Sequence, residues 1–392
     1  LSERDIIDRL KLTRIINASG TMTNLGASRV APAAAAMSLE ILDHFIDIDE
    51  LQARACNVIA QATGAEAGCV TSSAASGMTV AIAAAMTGAD LSHIERLPES
   101  SGLNHEVAIQ AGHLINYGAP VTQAIRLAGA RVKRLDAMAE GSLSGEETAA
   151  LYVVSHHVEE PGLPLSRFIG LCKARSIPVI VDMASEYDLK GPIAAGADVA
   201  IYSAHKFLGG LTAGIVAGRK DLIRAVYLQN NGIGRHMKVG KEGIAGVIAA
   251  LEGWLRRNHE KARRRELDIV VLWLRSLGSI GGLAVAREPD ATGNPIDRVR
   301  VMPTPEAGLF AWELAERLAR RRPSVRVRDD LLREGHFSLD PCNLADGEER
   351  LVAEAVAAEV EAARFRKDGL RMSFEAFEAQ RRMRLLQWPE GY

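Results

Sequence analysis

Cysteine is scarce in this chain, and the four residues present (Cys56, Cys69, Cys172 and Cys342) lie far apart with no Cys-x-x-Cys pair. That spacing excludes a zinc ribbon and argues against a disulfide framework, so a reducing, cytoplasmic setting is expected. An excess of one charge is missing too: 47 Lys and Arg stand against 49 Asp and Glu, a formal net charge of -2. Such a balance gives no long-range pull towards polyanions, and no nucleic-acid partner is expected. No apolar stretch approaches the length of a membrane span, and Leu1 to Leu10 is charged rather than signal-like, so no membrane partner is expected either. There is no internal repeat, and the Gly-x-x-x-x-Gly-Lys pattern of a Walker loop is absent. What is present is 392 residues, 47% hydrophobic and 24% charged, the profile of a globular protein of about two or three domains.

Residues 1–45 form a polar arm rich in turn formers, as in Asn17-Ala18-Ser19-Gly20 and Asn24-Leu25-Gly26. Residues 46–250 alternate short β-branched runs with helical patterns. Strands are expected at Ala67–Thr71, Ala130–Leu135, Leu151–Ser155, Val179–Asp182, Val199–Ser203 and Gly214–Ala217, and helices at Glu106–Gly112, Pro164–Ala174 and Leu222–Leu228. This alternation predicts an α/β fold with a doubly wound, largely parallel sheet. Residues 251–392 read as a linking helix, part of a long pattern over Gly243–Leu277, and a smaller C-terminal α/β domain. That domain has strands at Asp297–Met302, Ser324–Arg328 and His336–Asp340, and helices at Pro305–Arg321 and Gly347–Arg366. The run Arg263-Arg264-Arg265-Glu266 is expected on a solvated helix face.

Chemistry concentrates in the larger segment. Val179-Ile180-Val181 ends in Asp182, and the next apolar run ends in Ser203-Ala204-His205-Lys206. An acid and an amine are thus expected at neighbouring strand ends, where an open parallel sheet binds ligands. Pyridoxal 5′-phosphate (PLP) needs that pair: a lysine for its Schiff base and a carboxylate to keep its ring nitrogen protonated. A phosphate cradle is expected upstream, at Thr71-Ser72-Ser73-Ala74-Ala75-Ser76-Gly77-Met78-Thr79. There a helix start exposes backbone N–H groups, Ser73, Ser76 and Thr79 add hydroxyls, and Gly77 permits close approach. His105 is the favoured flat ring against the pyridine face, with His113 and Tyr117 as competitors. In Ser155-His156-His157-Val158-Glu159-Glu160 neighbouring side chains of an extended segment point to opposite faces. No metal site is therefore expected, and His156 is assigned to the crevice as a catalytic residue.

Asp182, Ser203-x-His205-Lys206 and the Ser76-Gly77 turn together resemble the fold-type-I, aspartate-aminotransferase-like group of PLP enzymes. More narrowly, Asn17 to Gly20 with Asn24 to Gly26, Ser203 to Gly210, and Gly232-Ile233-Gly234-Arg235-His236-Met237-Lys238-Val239-Gly240-Lys241-Glu242 are similar to the selenocysteine synthase and D-glucosaminate-6-phosphate ammonia-lyase family. The resemblance covers most of residues 14 to 250. It implies a homodimer or higher homo-oligomer, with Asn17, Arg235, Lys238 and Lys241 facing substrate or the neighbouring subunit's crevice. Because the chain reaches Asn17 almost at once and is slightly acidic, the small-molecule branch is expected over the tRNA-directed one. The reaction expected is a PLP-dependent elimination from a small anionic hydroxy amino acid or phosphorylated amino sugar acid, giving a 2-keto-3-deoxy acid and ammonia. In it the freed Lys206, its pKa lowered, takes the Cα proton. An aminotransferase or selenocysteine-synthase-like transferase, a racemase or aldolase, and a PLP-binding protein without turnover use the same scaffold.

Overall fold

The computed structural model describes residues 5–136, 142–154, 162–365 and 372–390. In chain order its strands are β1 (Ile15–Ala18), β2 (Ala67–Thr71), β3 (Glu106–Gln110), β4 (Arg131–Leu135), β5 (Ala149–Val153) and β6 (Val179–Asp182). They continue as β7 (Val199–Ser203), β8 (Gly214–Gly218), β9 (Leu283–Pro289), β10 (Asp297–Pro303), β11 (Ser324–Val327) and β12 (Phe337–Leu339). Two compact units result: Ser28–Arg257, and Leu1–Ala27 together with Asn258–Tyr392. The polar arm therefore divides after Ala27, and the cut drawn at 250/251 falls inside a helix that runs to Arg256.

The larger unit is built on a seven-stranded sheet of order β2-β8-β7-β6-β5-β3-β4. Strands β3 to β7 are mutually parallel where they pair, while β8 runs antiparallel to both β7 and β2. Strands β5 to β8 are buried at every position, as expected when both faces of a sheet are covered. Successive residues serve opposite cores: Val179, Val181, Ala200 and Tyr202 join one cluster, Ile180, Val199 and Ile201 the other. On the second face lies the helix Ala74–Thr87, whose small and apolar residues let it be buried on nearly all sides. On the first, the helix Lys241–Arg256 packs with Pro32–Glu40 and Ile48–Thr63.

One element departs from the sequence reading. Glu106–Gln110 is a strand, not part of a helix, and it pairs in parallel with both β4 and β5. A short apolar run has no periodicity that separates a buried strand from a buried helix, and the sheet on both sides decides the matter. The long pattern over 243–277 is two helices, Lys241–Arg256 and His259–Gly278, interrupted at Arg257 and Asn258.

In the smaller unit β1 pairs in parallel with β11, and β12-β10-β9 form an antiparallel sheet. Its core gathers around Trp273, Phe337, Val299 and Val301. Buried Arg298 is clamped between Asp290 (2.6 Å) and Asp340 (2.7 Å). The charge run is only partly solvated, since Arg263 pairs with buried Glu266 at 2.9 Å. Among the described residues no helix is long and apolar enough to cross a membrane.

Candidate active site

Adjacent parallel strands β6 and β7 put Asp182 opposite Ile201, and Lys206 follows β7 by three residues. Asp182 is buried, and its Oδ1 accepts the Ala184 N–H at 3.0 Å. Burial pushes its pKa above the carboxylate norm, and this outweighs the Ala184 hydrogen bond and the nearby Lys206 charge, both of which act downwards. An acid held in this state gains from a cationic N–H placed against it, which is what a protonated pyridine offers. The donor set fits PLP on that ground.

Lys206 rides on a turn fastened from several sides. Ala204 N–H donates to Ala213 O, Gly210 N–H to Ala204 O and Gly209 N–H to Lys206 O. Ser28 Oγ lies 2.7 and 2.6 Å from the carbonyl oxygens of His205 and Lys206, which share its single proton, and Ala31 N–H donates to Gly209 O. Lys206 Nζ donates to Ser185 Oγ. Buried Ser203 contacts His205 Nδ1 at 3.0 Å, and burial, then the Lys206 charge, pull the His205 pKa down, so its ring stays neutral.

Two strands away, across β8, is the cradle. Thr71 is level with Gly214, and Gly214 with Ser203, so the helix start after β2 and the Lys206 turn share one edge of the sheet. Ser73 and Ser76 form a reciprocal capping box: Ser76 N–H to Ser73 Oγ at 3.0 Å, and Ser73 N–H to Ser76 Oγ at 2.9 Å. Ser76 Oγ also donates to Ser73 O, and Thr79 Oγ1 donates back to Ala75 O. Neither hydroxyl is therefore spare for an anion. The free donors at this helix start are the first-turn N–H groups of Ala74 and Ala75, which have no partner within the helix. Gly77 also differs in its role, because a Cβ there would meet Val216 Cγ2 at 2.9 Å and Thr71 Oγ1 at 3.1 Å. Its bareness serves helix-on-sheet packing.

His105 precedes β3, at the end of the parallel sheet opposite Asp182. Val107 is level with Ala149, whereas Asp182 is level with Val153, so His105, two residues before Val107, lies roughly 20 Å of strand from the Asp182 row. This corrects the expectation of a stacking ring there. His113 is fully buried, accepts the Val153 N–H at 3.1 Å and lies edge-on to Tyr152, a packing role. Tyr117, on the loop beyond β3, has its pKa raised by partial burial and next by the charge of Asp182. His156 lies outside the described residues. Asn17 belongs to the smaller unit, where its amide spans Gly20 O and the Ser19 N–H.

The loop after the helix Lys220–Leu228 contributes unequally. Lys241 gives its Nζ hydrogens to Leu42 O and His44 O. Exposed Arg235 and Lys238 instead line a cavity of about 300 Å³ that meets the cradle at Thr71 and Ser76 and also includes Gln52, Tyr227 and Asn230. Neither Asp182 nor Lys206 lines it. The acid and the amine of adjacent strand ends thus lie apart from the lining of this cavity. Sequence reasoning missed Ser28 and Ser185. The position of Ser185, three residues past the strand-terminal acid, was the one available signal.

A family profile described as "SelA: L-seryl-tRNA selenium transferase" matches residues 179–280, the span that carries Asp182, Lys206 and the Arg235 loop. Over 357 residues the chain is 37% identical to the D-glucosaminate-6-phosphate ammonia lyase of Salmonella typhimurium, covering 89% of this chain and 96% of that one. It is 35% identical over 355 residues to a Streptomyces 5′-C-glycyluridine monooxygenase-decarboxylase, covering 88% and 89%. The solved structure of a D-glucosaminate-6-phosphate ammonia-lyase superposes with a TM-score of 0.81 at 35% identity, covering 92% of this chain and 100% of the other. An aspartate aminotransferase of Thermus thermophilus, at 14% identity and a TM-score of 0.53 over 90% and 93% of the chains, shares the fold alone.

Proposed function

The chain belongs to the selenocysteine synthase and D-glucosaminate-6-phosphate ammonia-lyase family of fold-type-I PLP enzymes, and from that premise we propose that it is a PLP-dependent ammonia-lyase acting on a phosphorylated amino sugar acid. The observation that carries the reading is the buried Asp182 beside Lys206 at adjacent strand ends. When bound, PLP supplies an electron sink for the negative charge left at the substrate's Cα. Asp182 holds the ring nitrogen's proton. The N–H groups of Ala74 and Ala75 receive the phosphate at the helix start. Tyr117, rather than His105, would supply a flat ring for the cofactor's face. Lys206 would anchor the cofactor, and its Nζ would accept the Cα proton of the substrate. Water leaves from C2–C3 and is returned on hydrolysis, so the balance is one hydroxy amino acid in, one 2-keto-3-deoxy acid and one ammonia out. Arg235 and Lys238 take the anionic tail of the substrate. Homo-oligomers are part of the proposal: Met37, Leu39, Leu42, Phe45 and Ile48 are exposed in one stretch, apolar surface suited to a second copy. A cytoplasmic location accords with the scattered free thiols.

The test is direct. With PLP the protein develops a visible absorption band, borohydride fixes the cofactor on the Lys206 peptide, and D-glucosaminate-6-phosphate yields ammonia and keto acid with no added acceptor. Turnover that demands a second keto acid would replace the lyase by a transaminase. A demand for dioxygen would instead favour chemistry of the kind named for the Streptomyces relative.

A further inference from the structure

We propose that Ser185 is a positioning residue for Lys206: its hydroxyl accepts a hydrogen bond from Nζ and keeps the free amine beside Asp182, ready to engage the cofactor. The hydrogen bond stands on geometry alone; its bearing on the cofactor rests on the PLP reading above.

Ser185 sits on a turn made by the acid itself. Asp182 Oδ1 accepts Ala184 N–H at 3.0 Å and Met183 O accepts Glu186 N–H at 3.2 Å, so acid and hydroxyl occupy one short, fixed segment after β6. Across from it, the Lys206 turn is locked by Ser28 and Ala31. Aromatic packing joins the two turns, with the Tyr187 ring 4.3 Å from Phe207 and 5.0 Å from Trp254. Each turn thus brings one member of the Nζ–Oγ pair to a set position. A lysine side chain has four rotatable bonds, and a fixed acceptor narrows their range.

The chemistry of a hydroxyl suits the place. It accepts from an ammonium and can equally donate to a neutral amine, so it holds Lys206 in either protonation state. A carboxylate there would favour the ammonium, which has no lone pair to offer. On cofactor uptake the Nζ lone pair would add to the aldehyde carbon, and the aldehyde oxygen would leave as water with the two amine hydrogens as the carbon–nitrogen double bond forms. The rate of that condensation reads how often the amine is both in place and unprotonated.

The experiment compares full-length wild type, Ser185→Ala and Ser185→Thr, each stripped of cofactor. Acetylation of Lys206 by acetic anhydride is followed by peptide mass spectrometry across pH, and PLP uptake by the visible band. Losing the acceptor loosens the hold on the proton-bearing amine, so the Ser185→Ala labelling midpoint moves down by about half to one pH unit. Above both labelling midpoints, where the amine is unprotonated in either protein, its PLP uptake slows about tenfold. Ser185→Thr, which keeps the hydroxyl, retains both wild-type values. A Ser185→Ala labelling profile that superimposes on wild type overturns the inference. So does a Ser185→Thr protein as disturbed as Ser185→Ala, because the effect would then be one of packing. A labelling shift in a set of proteins that never take up PLP would leave the hydrogen-bond role standing and remove the cofactor reading instead.

Discussion

A carboxylate with a raised pKa, buried at a strand end, costs the empty protein stability, and Asp182 is such a group. For an acid whose folded pKa lies above its unfolded value, the favourable contribution is complete below the unfolded pKa and is lost as pH rises through the folded one. Above its raised pKa the ionised Asp182 is therefore a burden, eased in part by Lys206 and further by a cation bound against it. Asp182→Asn keeps an oxygen for the Ala184 N–H and removes the charge. The cofactor-free variant should melt roughly 2–4 °C higher than wild type at pH 7, and the gain should vanish as pH falls through the raised Asp182 pKa. The same variant should lose PLP at least about tenfold faster. Melting curves between pH 4 and 8, with and without PLP, check both halves; an unchanged or lower cofactor-free melting point would remove the argument from burial. At this scale the sequence was informative where residue type and strand end coincide, as for Asp182 and Lys206. It was blind where one hydroxyl is chosen by folding, as with Ser185 and Ser28, which lie 21 and 178 residues from the amine or carbonyl they hold.

Elements make the cradle possible, and one strand constrains it more than its own loop does. β8 runs behind the helix start, and a Cβ on Gly214 would sit 2.2 Å from Ser73 O and 2.5 Å from Thr71 Oγ1. Backbone cannot move aside as a flexible side chain can. Gly214→Ala should destabilise the larger unit by about 1–3 kcal/mol and weaken PLP retention, because the displaced Ser73 carries the capping box. Ser73→Ala offers the contrast: loss of one cap, about 1 kcal/mol, with the backbone N–H groups still in place. Denaturant titration and cofactor release measured on both variants separate the effects, and equal release rates would mean that the backbone path behind the cradle is unimportant. Legibility at this level followed period and length. β2, β6 and β7 could be read to the residue because β-branched runs end in polar residues. β3 could not, since Val107-Ala108-Ile109 fits a buried turn of helix as well as a buried strand.

The order of the strands, and with it the neighbours of every side chain, belongs to the whole molecule. Nothing local in the sequence says that β8 enters antiparallel between β2 and β7, because pairing partners far apart in the chain are chosen by the packing of both faces at once. That same long-range assembly brings the loop after residue 228 back to the cradle, and leaves Arg235 and Lys238 on a cavity that reaches Thr71 and Ser76. The net charge of -2 hides this local concentration of positive charge. If the two cations serve the tail of the substrate and not its reacting end, they contribute equally to ground-state and transition-state binding. Replacing both with Ala should then raise KM for a phosphorylated substrate about 10–100-fold with kcat nearly unchanged. The same substrate without its phosphate should show little difference between wild type and the double variant. The wild-type KM should also climb with ionic strength, since both side chains are exposed, and that slope should flatten in the variant. A loss confined to kcat would assign the pair to the reacting centre and empty the cavity of its proposed role.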